Sequence, residues 1–272
     1  MKNKAQEKYW IVTFNSVIYF LLAYYSVILL TNIFSLILAR IYGFKGVLYY
    51  FGFTLNITDE QWTDDLVFFI FFFGISFSLL IGIISERIYR RVRKSSNHDK
   101  LFFFWVYLIS FTYFFGNVIV GVIYFFGIGA VFAYYSVPFF IKIFLGAIAF
   151  FALIMLGRYS VRNAILTFNS YFQEVREADI LKYLNLQILY PALIGNAIIF
   201  LVKIPHHAEF SFYDTYIFLC IFIIILTIYA ARNYGLPIKF KRTDDSFSLQ
   251  KTPLIMVILI IILIRIVFAF GI

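Results

Sequence analysis

The residues of this chain that could perform acid–base or metal chemistry lie outside its long apolar segments. Those segments contain no Asp, Glu or His, so they supply no carboxylate or imidazole for proton transfer. His206, His207 and Glu209 form the one cluster that resembles metal ligands. Adjacent histidines project in different directions and no spaced third histidine follows, which favours a solvated loop. We therefore expect no metal site, and no cofactor-binding or phosphate-binding glycine motif is present.

Two cations interrupt the apolar segments. Lys142 lies in the sequence SVPFFIKIFLGAIAFF, and Arg265 lies in PLIMVILIIILIRIVFAFGI. A charge at membrane depth costs at least a few kcal/mol, so such a side chain usually faces protein or water. Both residues are near the end of their segment, and snorkelling to the membrane surface is the simpler interpretation. The alternative is a shared site for an anion such as a lipid phosphate or a carboxylate.

Small and amide-bearing residues mark two places where helices could pack closely or break. Pro191 removes a backbone hydrogen bond, and Gly195 and Asn196 follow about one turn later. Gly116 and Asn117 lie within another apolar segment. Glycine permits close helix contact, and asparagine can hydrogen-bond between helices. Tight packing is the favoured interpretation, and a broken-helix binding site is the alternative.

The composition indicates the environment in which these residues must work. Of the 272 residues, 63% are hydrophobic, 22% are aromatic and only 14% are charged. A soluble domain is usually about 45–50% apolar and about 25% charged, and a soluble fold could not hide this much apolar surface. A soluble enzyme, a nucleic-acid-binding domain and a disordered chain are therefore excluded. What remains is a protein whose first partner is the lipid bilayer.

Seven apolar segments are long enough to cross a hydrocarbon core of roughly 30 Å, which needs about 20 helical residues. Lipid offers no partner for backbone N–H and C=O groups, so such runs must be helical. We therefore predict an all-α, polytopic membrane helix bundle that forms a single domain over residues 1–272. The predicted spans are 10–39, 66–84, 101–125, 136–156, 184–203, 215–231 and 253–272.

The distribution of basic residues predicts how the bundle is oriented. The net charge is +9, and the basic residues are concentrated before the first span and in the second, fourth and sixth loops. The first, third and fifth loops hold only Arg40, Lys45 and Lys203. Because cytoplasmic loops carry the excess of Lys and Arg, this alternation places the amino terminus inside and the carboxyl terminus outside. Short loops and a composition typical of A+T-rich genomes favour a bacterial cytoplasmic (inner) membrane.

Residues 161–182, after the fourth span, have the pattern of an amphipathic helix. Apolar residues recur at spacings of four and three, whereas the polar residues fall largely off this stripe. The stripe consists of Val161, Ile165, Phe168, Phe172 and Val175. We predict a cytoplasmic interfacial helix that lies flat against the bundle. The alternative is a docking helix for a cytoplasmic or membrane protein partner.

The first outer loop is unusually apolar at its centre. Residues 46–57 are mostly apolar or aromatic, and they are too few to span a membrane. Such stretches lie in the interface or re-enter the membrane, and Tyr49, Tyr50 and Trp62 suit the headgroup layer. An interfacial loop ending in a solvated acidic cap is the favoured interpretation. A substrate lid and a docking surface are the alternatives.

Three functions fit these patterns. The first is a non-catalytic subunit or scaffold of an envelope or transport assembly, which needs no catalytic residue. The second is a permease or flippase for an anionic lipid or solute, with Lys142 and Arg265 as its charged contacts. The third is an outward-facing enzyme that modifies lipid or glycan, using the loop histidines or acids. The lack of motif spacing ranks the enzyme last.

Overall fold

The computed structural model describes residues 2–50, 52–204, 208–232, 238–239 and 247–266. Within these residues, six helical stretches are long and apolar enough to cross a membrane. The stretches are Tyr9–Ile41, Asp64–Val92, Lys100–Val120, Phe139–Ser170, Glu177–Lys203 and Tyr213–Ala230. Each corresponds to one of the first six predicted spans. The prediction of an all-α polytopic membrane bundle is therefore confirmed.

Eleven α-helices make up the described part of the chain. The first six are α1 (Lys2–Ile41), α2 (Asp64–Val67), α3 (Gly74–Val92), α4 (Lys100–Val120), α5 (Ile128–Tyr134) and α6 (Phe139–Thr167). The others are α7 (Glu177–Leu184), α8 (Tyr190–Lys203), α9 (Ala208–Leu219), α10 (Ile221–Ala230) and α11 (Lys251–Ile266). Two π-helical segments, Phe68–Phe73 and Asn185–Leu189, join α2 to α3 and α7 to α8.

The seventh predicted span, 253–272, falls partly outside the described residues. Its first part lies in α11, which is apolar apart from Lys251, Thr252 and Arg265. Residues 267–272 are not among those described. The count of seven spans and the orientation of the bundle therefore stay predictions.

Helices α1 and α4 form the centre of the bundle. α4 packs against α1, α3, α6 and α9, and α1 also packs against α8 and α11. Their interface is filled by large rings, with Phe20 and Trp105 edge to face at 5.0 Å between centroids. Asn15 of α1 also connects α1 to the chain before α11. Its Nδ2 donates to the Ser248 carbonyl at 2.8 Å, and its Oδ1 accepts from the Gln250 N–H at 3.0 Å.

The prediction of a separate interfacial helix over 161–182 is wrong. Val161–Thr167 continue α6, a 3₁₀ turn follows over Phe168–Ser170, and strand β3 (Glu174–Val175) precedes α7. All five residues of the apolar stripe are buried in the bundle core. Beyond the end of α6, Asn169 donates to the Lys94 carbonyl at 3.0 Å, and β3 pairs with β4 (Ile238–Lys239).

The first outer loop, predicted to lie in the interface, contains a β-hairpin. Strands β1 (Gly46–Tyr49) and β2 (Gly52–Leu55) pair in antiparallel register, which satisfies their backbone groups beside an apolar surface. Phe53 and Leu55 pack against Leu66 and Ile70 at the end of the bundle. We call this the hairpin end. The opposite end, where α3 closes with Arg90 and Arg91, is the basic end.

Candidate functional site

A cavity of about 360 Å³ lies at the hairpin end, and we call it the hairpin cavity. It is half open and is bordered by α1, α4 and α9, by β2 and by the segment 125–127. Most of its wall is apolar or aromatic, including Ile28, Phe53, Trp62, Phe71 and Phe126. Its polar side chains are Asn32, Ser35, Thr54, Tyr113, Asn117, Tyr213 and Asp214. This volume and this mixture of groups are typical of small-molecule sites, which measure roughly 300–1,000 Å³.

Helix α1 brings Asn32 and Ser35 to the cavity because residues three apart share a helix face. Both side chains are buried. The Ser35 hydroxyl donates to the Ile70 carbonyl at 3.4 Å, which lies in the π-helical segment before α3. A π-segment interrupts the regular ladder of helical hydrogen bonds, and such segments are frequent at functional sites.

The Asn117 amide is held in a single orientation. Its Nδ2 donates to the Tyr113 carbonyl at 2.7 Å, and its Oδ1 accepts from the Tyr213 hydroxyl at 2.6 Å. Gly127 covers this pair with a positive φ of 57°. A Cβ atom at Gly127 would lie 2.4 Å from both the Asn117 Oδ1 and the Tyr213 hydroxyl. Only glycine therefore fits here, and the amide and the hydroxyl together form a rigid polar wall.

A buried ion pair stands beside this wall. The Lys203 Nζ, at the end of α8, lies 2.5 Å from the Asp214 Oδ2 in α9. The two side chains are only 8% and 18% exposed. The ammonium is also 6.0 Å from the centroid of the Tyr24 ring. The acid therefore remains at membrane depth as a member of a pair, which is how such charges are usually accommodated.

Asp214 lies one residue before the predicted sixth span, which begins at residue 215. In the structure it belongs to α9, Ala208–Leu219, and to the apolar stretch Tyr213–Ala230. Its carboxylate pairs with Lys203 of α8.

A second, smaller cavity adjoins the hairpin cavity. It measures about 20 Å³ and is lined by Tyr24, Tyr25 and Lys203. Asn32 borders both cavities. Lys203 thus faces the smaller space and Asp214 faces the larger one, so the ion pair and Asn32 form a polar partition between them.

The two predicted cations lie on different parts of the bundle. Lys142 is partly exposed in the first turns of α6, which packs against α4 and α10. The Arg265 guanidinium lies 5.1 Å from the centroid of the Tyr50 ring, and its helix α11 packs against α1. Neither residue is among the described residues that line the hairpin cavity. Their shared anion site stays a prediction.

Pro191 and its neighbours occupy a buried junction at the start of α8. Proline cannot donate to the carbonyl of Gln187, four residues earlier, and the Ser16 hydroxyl donates to that carbonyl at 2.6 Å. The same hydroxyl accepts from the Trp105 indole at 3.0 Å. The Ser16 hydroxyl therefore supplies the hydrogen bond that Pro191 cannot make. Through it, α1 is connected to α4 and to the start of α8.

The predicted glycines lie at close helix contacts. A Cβ at Gly116 would lie 2.9 Å from the Ile217 carbonyl oxygen, and one at Gly195 would lie 2.2 Å from a Phe20 ring carbon. Asn196 is half-buried, and its side chain donates to the Ala192 carbonyl at 2.7 Å within α8. Of the five predicted packing residues, only Asn117 lines the hairpin cavity.

Sequence reasoning missed Asn32, Ser35, Tyr213 and Asp214. A weak signal was present for the first two, because they stand three residues apart within a long apolar run. Asp214 directly precedes an apolar run, and its lysine partner is on another helix. The histidine cluster at 206–207 lies outside the described residues, and the side chain of the following acid is not described either.

The polar groups of the hairpin cavity suit binding more than covalent chemistry. The Asn117 amide is fixed by hydrogen bonds, and the Asp214 carboxylate is already paired with a lysine. No histidine or cysteine is found among the described residues of its lining. Comparisons of the chain with protein-family models, with curated proteins and with solved structures found no match.

Proposed function

We propose that this multi-pass membrane protein is a permease that binds a small amphipathic molecule in the hairpin cavity. The observation that carries the proposal is the half-open cavity of about 360 Å³, with apolar walls and one polar side. An amphipathic ligand would place its apolar body among the aromatic side chains. Its polar group would face Asn117, Tyr213 and Asp214.

The charge of the lining favours a neutral or cationic polar group on the ligand. Asp214 is the one charged side chain among the described lining residues, and it is an acceptor of hydrogen bonds. The alternative of an anionic ligand depends on Lys142 and Arg265, which lie elsewhere. A ligand that donates N–H or O–H groups therefore fits the cavity better than a phosphate or a carboxylate does.

A scaffold subunit is the competing function. A scaffold needs polar or apolar outer surfaces for its partners, but it needs no cavity of this size. The two functions differ in what purifies with the protein. A permease should retain a small molecule, whereas a scaffold should retain a stoichiometric protein partner.

The experiment is purification from native membranes in mild detergent, followed by mass spectrometry of retained small molecules and proteins. We expect a retained amphipathic molecule, and we expect Asn117→Leu to lower its retention about tenfold, because a buried polar group left unpaired costs about 1–3 kcal/mol. Asn196→Leu is the matched control. Both amides donate to the carbonyl four residues earlier at 2.7 Å, but Asn196 is not among the described lining residues.

A second variant separates recognition from folding. Ala130→Trp places a large side chain in the wall of the hairpin cavity without removing any polar group. It should abolish retention while the protein still elutes as a single species in detergent. Equal retention by Asn117→Leu, Ala130→Trp and the unchanged protein would overturn the permease proposal. A protein partner without any small molecule would favour the scaffold.

A further inference from the structure

A groove at the basic end combines apolar and cationic side chains, and we call it the α3–α6 groove. Its volume is about 390 Å³. Ile83, Glu86, Arg87 and Arg90 of α3 form one side, Phe111 of α4 forms the floor, and Leu156 and Tyr159 of α6 form the other side. The groove is separate from the hairpin cavity, and its lining shares no described residue with it.

The α3 side chains lie at the depth of a lipid headgroup. From Leu66, at the hairpin end, to Arg87 the helix rises about 32 Å, which matches a hydrocarbon core of about 30 Å. From Phe139 to Tyr159, α6 rises about 30 Å by the same measure. Arg87 and Tyr159 therefore both reach the membrane surface at the basic end. Ile83 and Leu156 lie about one turn deeper, where acyl chains begin.

The polar contacts of the groove leave a net positive charge. The Arg90 Nε donates to the Glu86 Oε1, and the Tyr159 hydroxyl donates to the same oxygen. The Arg90 guanidinium also lies 5.5 Å from the centroid of the Tyr159 ring. Glu86 is thereby neutralised and held in place. Arg87 is exposed and forms no ion pair among the described side chains, so one positive charge is available to a ligand.

We propose that the α3–α6 groove binds an anionic glycerophospholipid. Its phosphate would bind Arg87 and the outer face of Arg90, because guanidinium groups match phosphate in charge and in hydrogen-bond geometry. One acyl chain would lie against Ile83, Phe111 and Leu156. Basic pockets between membrane helices at the side predicted to be cytoplasmic are the usual places for such headgroups. This site is independent of the permease proposal, since it uses other residues at the other end of the bundle.

The test measures lipid binding by the full-length purified protein in neutral detergent, using native mass spectrometry. Phosphatidylglycerol should bind more tightly than phosphatidylcholine, and Arg87→Gln should weaken phosphatidylglycerol binding about five- to tenfold. Arg91→Gln is the control, because Arg91 is exposed on the same helix one turn away and is not part of the described lining. Arg91→Gln should leave binding unchanged.

Three results would overturn the proposal. The first is equal binding of the two lipids, and the second is equal weakening by Arg87→Gln and Arg91→Gln, which would indicate unspecific charge attraction. The third is equally tight binding of glycerol 3-phosphate, which lacks acyl chains. Leu156→Trp provides a second variant that keeps every charge: it should block the acyl position and weaken phosphatidylglycerol binding, and unaltered binding would again contradict the site.

Discussion

Replacing Asp214 with leucine is expected to lower the free energy of unfolding by about 3–5 kcal/mol. The substitution removes the Asp214 carboxylate from beside the Lys203 ammonium, whose side chain is only 8% exposed. Removing one partner of a buried ion pair costs far more than the net stabilisation that the pair itself contributes. Titration of the purified protein with a denaturing detergent measures this change.

The double variant Lys203→Met with Asp214→Leu tests the physical reason. It removes both charges and keeps the side-chain volumes similar, so most of the lost stability should return. Glu174→Gln is the control, because it breaks the Arg176–Glu174 pair, whose atoms are 4.0 Å apart and whose side chains are 76% and 42% exposed. It should cost less than about 1 kcal/mol. If Asp214→Leu were as stable as Glu174→Gln, the Lys203–Asp214 pair would have to be hydrated.

The same double variant also bears on ligand binding. If Asp214 contacts the ligand of the hairpin cavity, retention should stay low in the double variant although stability returns. Recovery of both properties together would mean that the carboxylate acts only through the fold. The two measurements on one protein therefore separate stabilisation from recognition.

Gly116→Val is expected to lower the free energy of unfolding by about 2–3 kcal/mol, near the upper end for overpacked cores. A Cβ atom there would lie 2.9 Å from the Ile217 carbonyl oxygen and 3.0 Å from the Ile217 Cγ2, so the backbone of α9 must move. Tyr213 and Asp214 lie about one turn before Ile217 on that helix. The displacement should therefore reach the hairpin cavity and reduce ligand retention as well.

Gly52→Val is the control for the change in stability alone, because Gly52 itself lines the hairpin cavity. No described atom lies within 4 Å of a Cβ built on Gly52, and valine suits the strand that begins there. Thermal unfolding of both variants in the same detergent gives the comparison. If Gly116→Val and Gly52→Val were equally stable, α4 and α9 could move apart without loss of stability, and the prediction would be wrong.

The helical bundle could be predicted because hydropathy alone determines where a chain must be helical in lipid. The ends of the helices were less predictable. α3 continues through Glu86, Arg87 and Arg90, which lie beyond the predicted span, because pairing among polar side chains supports a helix that projects from the hydrocarbon core. The hairpin is not predictable from the sequence because its short strands, GVLY and GFTL, do not alternate regularly between apolar and polar residues.

The candidate site was largely beyond prediction, because its residues meet only in the folded bundle. Asn117 and Tyr213 are 96 positions apart in the sequence and share one hydrogen bond. Lys203 was identified as a loop cation and Asp214 as a loop acid, and nothing in their spacing predicts that they pair between α8 and α9. The sequence predicts a packing role for Asn117, and the structure shows that Asn117 also lines the hairpin cavity.

The two hydrogen bonds between Asn15 and the chain before α11 bear on the order in which the bundle is completed during synthesis. These bonds join positions 233 and 235 residues apart, and α11 packs against α1. The side of α1 that faces α11 therefore stays exposed to lipid until the ribosome has synthesised every intervening helix. Contacts of such long sequence separation form late. A ribosome-bound chain stalled before α11 would hold α1 and α4 together with one flank of α1 still open to lipid.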